Sequence, residues 1–281
     1  MKIAIAVVVV LVLVVAAGLT ALAWRASSRA IHPGPPQYAW SLADYQQLKP
    51  EDVRVETSTG ATLAGRFFPG RERATVVLTH GYGGSQDEML PVADALHKSG
   101  FTVFTYNLRG QVTFGAKEQD DLVSVVDYLS GRDDVDAERI GALGFSMGGA
   151  TTLLAAAREP RIKAVVADSA WRTAKSWLRP SWNPRDHFSR LSLKFAEWRT
   201  GIDLDKLRPV EAMQRLAGRP VLLIHGSDDD VVLPEDSDAL LSAAPGAELW
   251  RIPGAKHGET LAPGGPTTGE RVTTFFERAL A

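Results

Sequence analysis

Ile140-Gly141-Ala142-Leu143-Gly144-Phe145-Ser146-Met147-Gly148-Gly149-Ala150 is the stretch from which the fold can be read. Its first six residues read as a short buried strand. From Met147 to Glu159 the chain is rich in alanine and other helix formers and reads as a helix. Between them stands Gly-x-Ser-x-Gly. In a strand–turn–helix of this kind the serine occupies the apex in a strained backbone conformation, and glycines two residues before and after let the two backbones pass closely. The hydroxyl is then held above the carboxyl end of a sheet, beside the free N–H groups that begin a helix and favour developing negative charge. Ser146 is therefore a candidate nucleophile.

Outward from this point, strand and helix signals alternate. Before it come Ala74–Thr79 as a β-branched strand, Met89–Lys98 as a helix, Phe101–Tyr106 as a strand and Lys117–Leu129 as a helix with Leu122, Val125, Val126 and Leu129 on one face. After it come strand Ile162–Ala167, strand Val221–His225, helix Glu235–Ala243, strand Glu248–Ile252 and helix Glu270–Leu280. Val53–Thr57 and Thr62–Phe68 flank Ser58-Thr59-Gly60 and predict a hairpin at the entrance. The pattern predicts an α/β fold with a mainly parallel sheet, whose sites lie at the carboxyl ends of strands.

Three strand ends carry groups with suitable chemistry. His80-Gly81-Tyr82-Gly83-Gly84-Ser85 is a glycine-rich turn able to present backbone amides, and the N–H groups of Tyr82 and Met147 are the expected oxyanion hole. His225-Gly226-Ser227-Asp228-Asp229-Asp230 places three carboxylates side by side. Like charges disfavour joint burial, so one at most should turn inward, and Asp229 is the choice. Asp168, at the end of another strand, is the rival acid, and His225 reads as structural. His257, in Gly254-Ala255-Lys256-His257-Gly258, is the one histidine that follows both the serine and the acid. In the order Ser, Asp, His it is the expected general base.

The alternation breaks between Ser169 and Leu216. This segment holds Trp171, Trp177, Trp182 and Trp198, four of the seven tryptophans. A lid at about 170–216 is expected, with Trp171, Trp177 and Trp182 as candidate substrate-pocket residues; the same rings would serve equally to pack a lid onto the body. At the other end of the chain, residues 3–24 carry no charge and would span about 33 Å as a helix, enough for a bilayer core. An apolar core of this length exceeds the roughly 7–15 residues of a secretory signal, so an uncleaved single-pass anchor over residues 1–24 is expected, with the remainder facing outward from the cell. Residues 25–50, with Pro33-Gly34-Pro35-Pro36, read as an extended stalk; an ordered arm carrying Tyr38, Trp40 and Tyr45 is the alternative. The domain proper is then 51–281.

Composition narrows the function classes. The 281 residues are 45% hydrophobic and 23% charged with net charge −2, which gives no basic face for nucleic acid. With no cysteine there is neither a disulfide nor a thiolate site, and the scattered histidines and the aspartate run match no metal-binding spacing. Neither a cofactor nor a metal is expected.

Taken together, His80-Gly-Tyr-Gly-Gly-Ser85, Thr113-Phe-Gly-Ala-Lys-Glu118, Gly144-Phe-Ser-Met-Gly148, Val166-Ala-Asp-Ser169, His225-Gly-Ser-Asp-Asp229 and Pro253-Gly-Ala-Lys-His257 resemble the α/β-hydrolase superfamily. Within it the chain is similar to bacterial membrane-anchored serine hydrolases of the serine-aminopeptidase-like and acyl-esterase-like groups. The resemblance covers about residues 50 to 281 and implies an eight-stranded sheet with Ser146, Asp229 and His257 as the triad, the acid lying four residues after the histidine of His225-Gly226. The expected function is cleavage of a carboxylic ester, or else of an amide or thioester, in a small-molecule ester or acyl substrate through an acyl-Ser146 intermediate, with an acyltransferase or a catalytically silent membrane-tethered binding module as the alternatives. One departure stands out: relatives continue Asn107-Leu-Arg-Gly110 with His-Gly-x-Ser and a longer loop, whereas here Gln111-Val112 leads directly to Thr113-Phe114-Gly115, at one wall of the pocket.

Overall fold

The computed structural model describes residues 1–34, 36, 38–181 and 187–281. Eight strands form one sheet: β1 (Glu51–Glu56), β2 (Thr62–Phe68), β3 (Thr75–Thr79), β4 (Thr102–Tyr106), β5 (Ile140–Phe145), β6 (Ile162–Asp168), β7 (Val221–Gly226) and β8 (Glu248–Ile252). Their spatial order is β1-β2-β4-β3-β5-β6-β7-β8. The sheet is mixed. β2 runs antiparallel to both β1 and β4, and every pairing from β4 to β8 is parallel.

Helices cover both faces, because the strands are apolar on both. Alternation of period two divides each strand between the faces. In β7, Val221 and Leu223 point to one core and Leu222 and Ile224 to the other. The first core is closed by α3 (Glu118–Ser130), α4 (Met147–Ala156), α7 (Pro209–Arg215) and α8 (Glu235–Ala243); the second by α2 (Leu90–Lys98) and α9 (Glu270–Ala279). In α3 the buried Leu122, Val125, Val126 and Leu129 form the stripe read from the sequence.

The insertion after β6 contains α5 (Ala174–Ser181) and α6 (His187–Thr200). Its last helix, α7, buries Met213 and belongs to the body, so the cover proper ends near Leu207.

The amino-terminal segment departs most from expectation. Helix α1 runs from Lys2 to Ile31, seven residues beyond the expected anchor. By length and composition it can cross a membrane. Its apolar residues are exposed as far as Leu22; beyond that Ala23, Ser27, Ala30 and Ile31 are buried, with Trp24 set against Phe195 and Trp198 of α6 and Arg199 over the Trp24 ring. Residues 25–50 are thus not an extended stalk. After α1 the chain lies on the domain: the Ser85 N–H donates to the Tyr38 hydroxyl (2.9 Å), Trp40 Nε1–H donates to the Asp87 carbonyl (2.8 Å), and Leu42 and Tyr45 pack against the α2 core. Partial burial of three aromatic rings offsets part of the cost of ordering so short an arm.

Candidate active site

Ser146 sits between β5 and α4 with φ 54° and ψ −118°. A non-glycine residue is held there only when its surroundings impose it. Two contacts do so: the Ser146 N–H donates to the Asp168 carbonyl (2.8 Å), and Gly144 and Gly148 let backbones meet where a Cβ would fall 2.2 Å from the Gly148 and Thr79 carbonyl oxygens respectively.

The Ser146 hydroxyl faces His257, with Oγ 3.0 Å from Nε2, and His257 Nδ1 is 2.7 Å from Asp229 Oδ2. Asp229 is 3% exposed and its other oxygen accepts the N–H groups of Val231 (3.0 Å) and Val232 (2.9 Å). Burial alone would raise its pKa. The hydrogen bonds from His225 and His257, the charge on His257 and the Val232 amide outweigh burial and hold it well below the usual carboxylate range. Of the three adjacent aspartates, Asp229 alone is buried, while Asp228 and Asp230 are exposed. His225 is fully buried and donates from Nε2 to the Val232 carbonyl (2.8 Å), bracing the same loop.

The rival acid has a different place. Asp168 is buried and accepts the hydroxyls of Thr260 (2.7 Å), Thr267 (2.6 Å) and Ser169 (3.0 Å). Burial raises its pKa, against those three donors. It therefore holds the segment that follows His257. Asp168→Ala would leave three buried hydroxyls without their acceptor, and should cost about 1–3 kcal/mol of unfolding free energy by urea titration.

The backbone N–H groups of Tyr82 and Met147, the expected oxyanion donors, have no partner among the described residues. Two neighbours that sequence reasoning did not single out position the Tyr82 loop. His80 donates from Nδ1 to the Gly81 carbonyl (2.8 Å) and accepts the Leu108 N–H at Nε2 (3.0 Å). Its burial lowers the pKa to about 4, so the ring stays neutral and serves both loops. Glu88 Oε2 accepts the Gly81 N–H at 2.6 Å. No spacing distinguishes Glu88 from an ordinary acid in the first turn of a helix.

Burial raises the pKa of Glu88, opposed by the Gly81 amide, the charge of His257 and the Tyr38 hydroxyl. A carboxyl with a raised folded pKa gives stability that is present below the unfolded value and lost as pH rises through the folded one. Glu88→Gln keeps an acceptor but cannot ionise. The stability difference should therefore move in favour of Glu88→Gln as pH rises from the normal glutamate range through the raised folded pKa, measured by urea titrations at stepped pH. A constant difference would contradict this assignment.

Of the candidate pocket residues, Trp177 lines a cavity of about 460 Å³ with Tyr82, Phe114, Leu178, Val231 and the end of α1. Trp171 does not line it; fully buried, it stacks on Trp177 and shares the apolar cluster of Met147. Trp182 lies outside the described residues. Phe114, with φ 54°, lies in the loop after Gly110. Among the described residues no cluster of histidine and acidic side chains is arranged to hold a metal ion.

Residues 74–216, half of the chain, match the sequence profile of the alpha/beta hydrolase fold. The chain belongs to the α/β-hydrolase fold family. This α/β-hydrolase is 28% identical over 260 residues to an uncharacterized protein of Mycobacterium tuberculosis, covering 88% of this chain and 85% of the other. It is 33% identical over 106 residues to a bis(hydroxyethyl) terephthalate hydrolase of Streptomyces coelicolor, covering 36% and 34% of the two chains. Among solved structures, an esterase of Pyrococcus furiosus superposes with a TM-score of 0.73 at 24% identity, covering 89% of this chain and all of the other, which establishes likeness of fold. Family and relatives together support a hydrolase.

Proposed function

We propose that this α/β-hydrolase is a membrane-anchored serine hydrolase that cleaves a carboxylic ester through an acyl-Ser146 intermediate. The observation that carries the reading is the hydrogen-bonded series Ser146 Oγ, His257 Nε2, His257 Nδ1, Asp229 Oδ2, at 3.0 and 2.7 Å. His257 takes the Ser146 proton as Oγ attacks the ester carbonyl. The carbonyl oxygen, now negative, is met by the Tyr82 and Met147 N–H groups, reinforced by the amino end of α4. His257 then gives the proton to the departing alkoxide. Water, deprotonated in turn by His257, releases the acid and restores Ser146. Asp229 fixes the Nδ1–H tautomer and stabilises the imidazolium formed in both halves. The esterase name of the Pyrococcus furiosus structure and the ester substrate named for the Streptomyces coelicolor relative favour esters over amides.

The anchor in this reading is α1, whose residues 2–22 carry Lys2 as their one charged side chain and are exposed throughout. The orientation proposed for the domain is outward.

Acid quench during turnover of p-nitrophenyl butyrate tests the chemistry. A butyryl adduct on the Ser146 peptide, seen by mass spectrometry, is the expected result; turnover with an unmodified Ser146, or no turnover of any ester by folded protein, would overturn it.

A further inference from the structure

The last four carbonyls of a helix lack partners within it. In α1 two of them are taken by the site itself: the Tyr82 hydroxyl donates to the Ala30 carbonyl at 2.9 Å, and the Val112 N–H to the Ile31 carbonyl at 2.9 Å. Ala30 and Ile31 are buried in one apolar cluster with Met147, Phe114, Trp177 and Val232. The helix end is therefore built into the same loops that hold the oxyanion donors and the acid.

Between them lies the cavity of about 460 Å³, within the usual range of about 300–1,000 Å³ for small-molecule sites. Each of its walls comes from a different functional element: Ala26, Arg29 and Ala30 from α1, Tyr82 from its own loop, Phe114 from the loop after Gly110, Trp177 and Leu178 from the cover, and Val231 from the loop of Asp229. Tyr82 and Phe114 stack, and Trp177 meets Tyr82 edge-on with ring centres 5.3 Å apart. Among the described residues the lining is apolar apart from Arg29 and the tied-up Tyr82 hydroxyl, which suits a hydrocarbon chain.

Its depth follows from the helix rise. Leu22 ends the exposed apolar stretch, and Ala26 is four residues further, about 6 Å along the axis. That is the thickness of a headgroup layer. At the same level Trp24 and Trp198 are partly exposed, at 40% and 73%, as rings at a membrane interface are. The cavity thus opens at the outer side of the headgroup layer, one headgroup thickness from where acyl chains begin.

We infer that the cavity walled by α1 is the acyl subsite of Ser146, and that the substrate is a long-chain carboxylic ester resident in the bilayer, which enters alongside α1. The inference rests on the serine-esterase reading above. The anchor is then part of the binding site as well as a tether, and it orders the substrate by placing the ester carbonyl beside Tyr82 while the chain lies against Ala26 and Phe114.

The test uses the full chain in phospholipid nanodiscs. Wild type should prefer p-nitrophenyl palmitate to butyrate, and Ala26→Trp, which fills the cavity, should lower the palmitate-to-butyrate ratio of kcat/KM by about 10- to 100-fold. An unchanged ratio would overturn the inference. A readout that needs no catalysis separates it from the esterase reading: Ser146→Ala protein irradiated with a diazirine-bearing palmitate should crosslink at Phe114, Trp177 or Leu178, and Ala26→Trp should abolish those crosslinks. Crosslinks there without ester turnover would remove the esterase reading and leave the subsite; butyrate turnover with crosslinks elsewhere would remove the subsite and leave the esterase.

Discussion

Ser146→Ala and His257→Ala should each lower kcat for ester hydrolysis by on the order of a million-fold, and Asp229→Asn by on the order of ten-thousand-fold. The three effects differ because the groups do different things. Without Oγ there is no acyl-enzyme, and without Nε2 the hydroxyl remains a poor nucleophile. Asparagine at 229 keeps an oxygen for the Val231 and Val232 amides, so the loop should stand. Its amide N–H₂, however, would meet Nδ1 as a donor and favour the tautomer with the proton on Nε2, where the Ser146 proton must arrive. KM should change little, since none of these groups binds the chain of the substrate. Steady-state rates with a p-nitrophenyl ester, on protein whose circular dichroism matches wild type, decide the matter. Near-wild-type turnover by Ser146→Ala would remove Ser146 from the chemistry.

Gly148→Ala should be among the most damaging single methyl additions in the body of the protein. An added Cβ would stand 2.2 Å from the Thr79 carbonyl oxygen and 2.4 Å from that of His80. Both are backbone atoms, one at the end of β3 and one at the start of the Tyr82 loop, so no side-chain rotation relieves the clash. Either α4 moves away from the sheet or the loop moves away from Ser146. A loss of about 3 kcal/mol or more is expected by urea titration, together with loss of activity in whatever protein folds. Gly246→Ala is the control: nothing lies within 4 Å of its added Cβ and its backbone is not left-handed, so its effect should stay within about 0.5 kcal/mol. Equal behaviour of the two variants would contradict the close approach described here.

What could be read from the chain followed the range of the forces involved. Strands such as Ile140–Phe145 and helices such as Glu235–Ala243 were legible because their apolar residues repeat locally with the period of the element. That at most one of Asp228, Asp229 and Asp230 is buried was legible by a local argument too, since like charges disfavour joint burial; which of them it is depends on the loop's fold. The role of Asp168 was not: its partners Thr260 and Thr267 lie more than ninety residues away, and only the folded chain brings them to it. Glu88 is hidden for the same reason, its contact with Gly81 being made across a turn that reads as ordinary loop. The end of α1 misled the reading most. Polar Arg25, Ser27, Ser28 and Arg29 and the prolines beyond suggest a chain leaving the membrane as a stalk, but Arg199 reaches Ser27 at 3.1 Å, Tyr82 and Val112 cap the last carbonyls, and the helix is carried into the domain. Those partners come from three separate parts of the sequence, and no local pattern announces them.

Ser146, activated by His257, is the proposed nucleophile. That role is tested most directly by treating the full-length protein with a fluorophosphonate and mapping the adduct by peptide mass spectrometry, wild type beside His257→Ala. A single phosphonyl group on Ser146, formed much more slowly in His257→Ala, is the expected result. Folded wild-type protein that takes up no phosphonyl group, or takes it up on another residue with Ser146 unmodified, would contradict it.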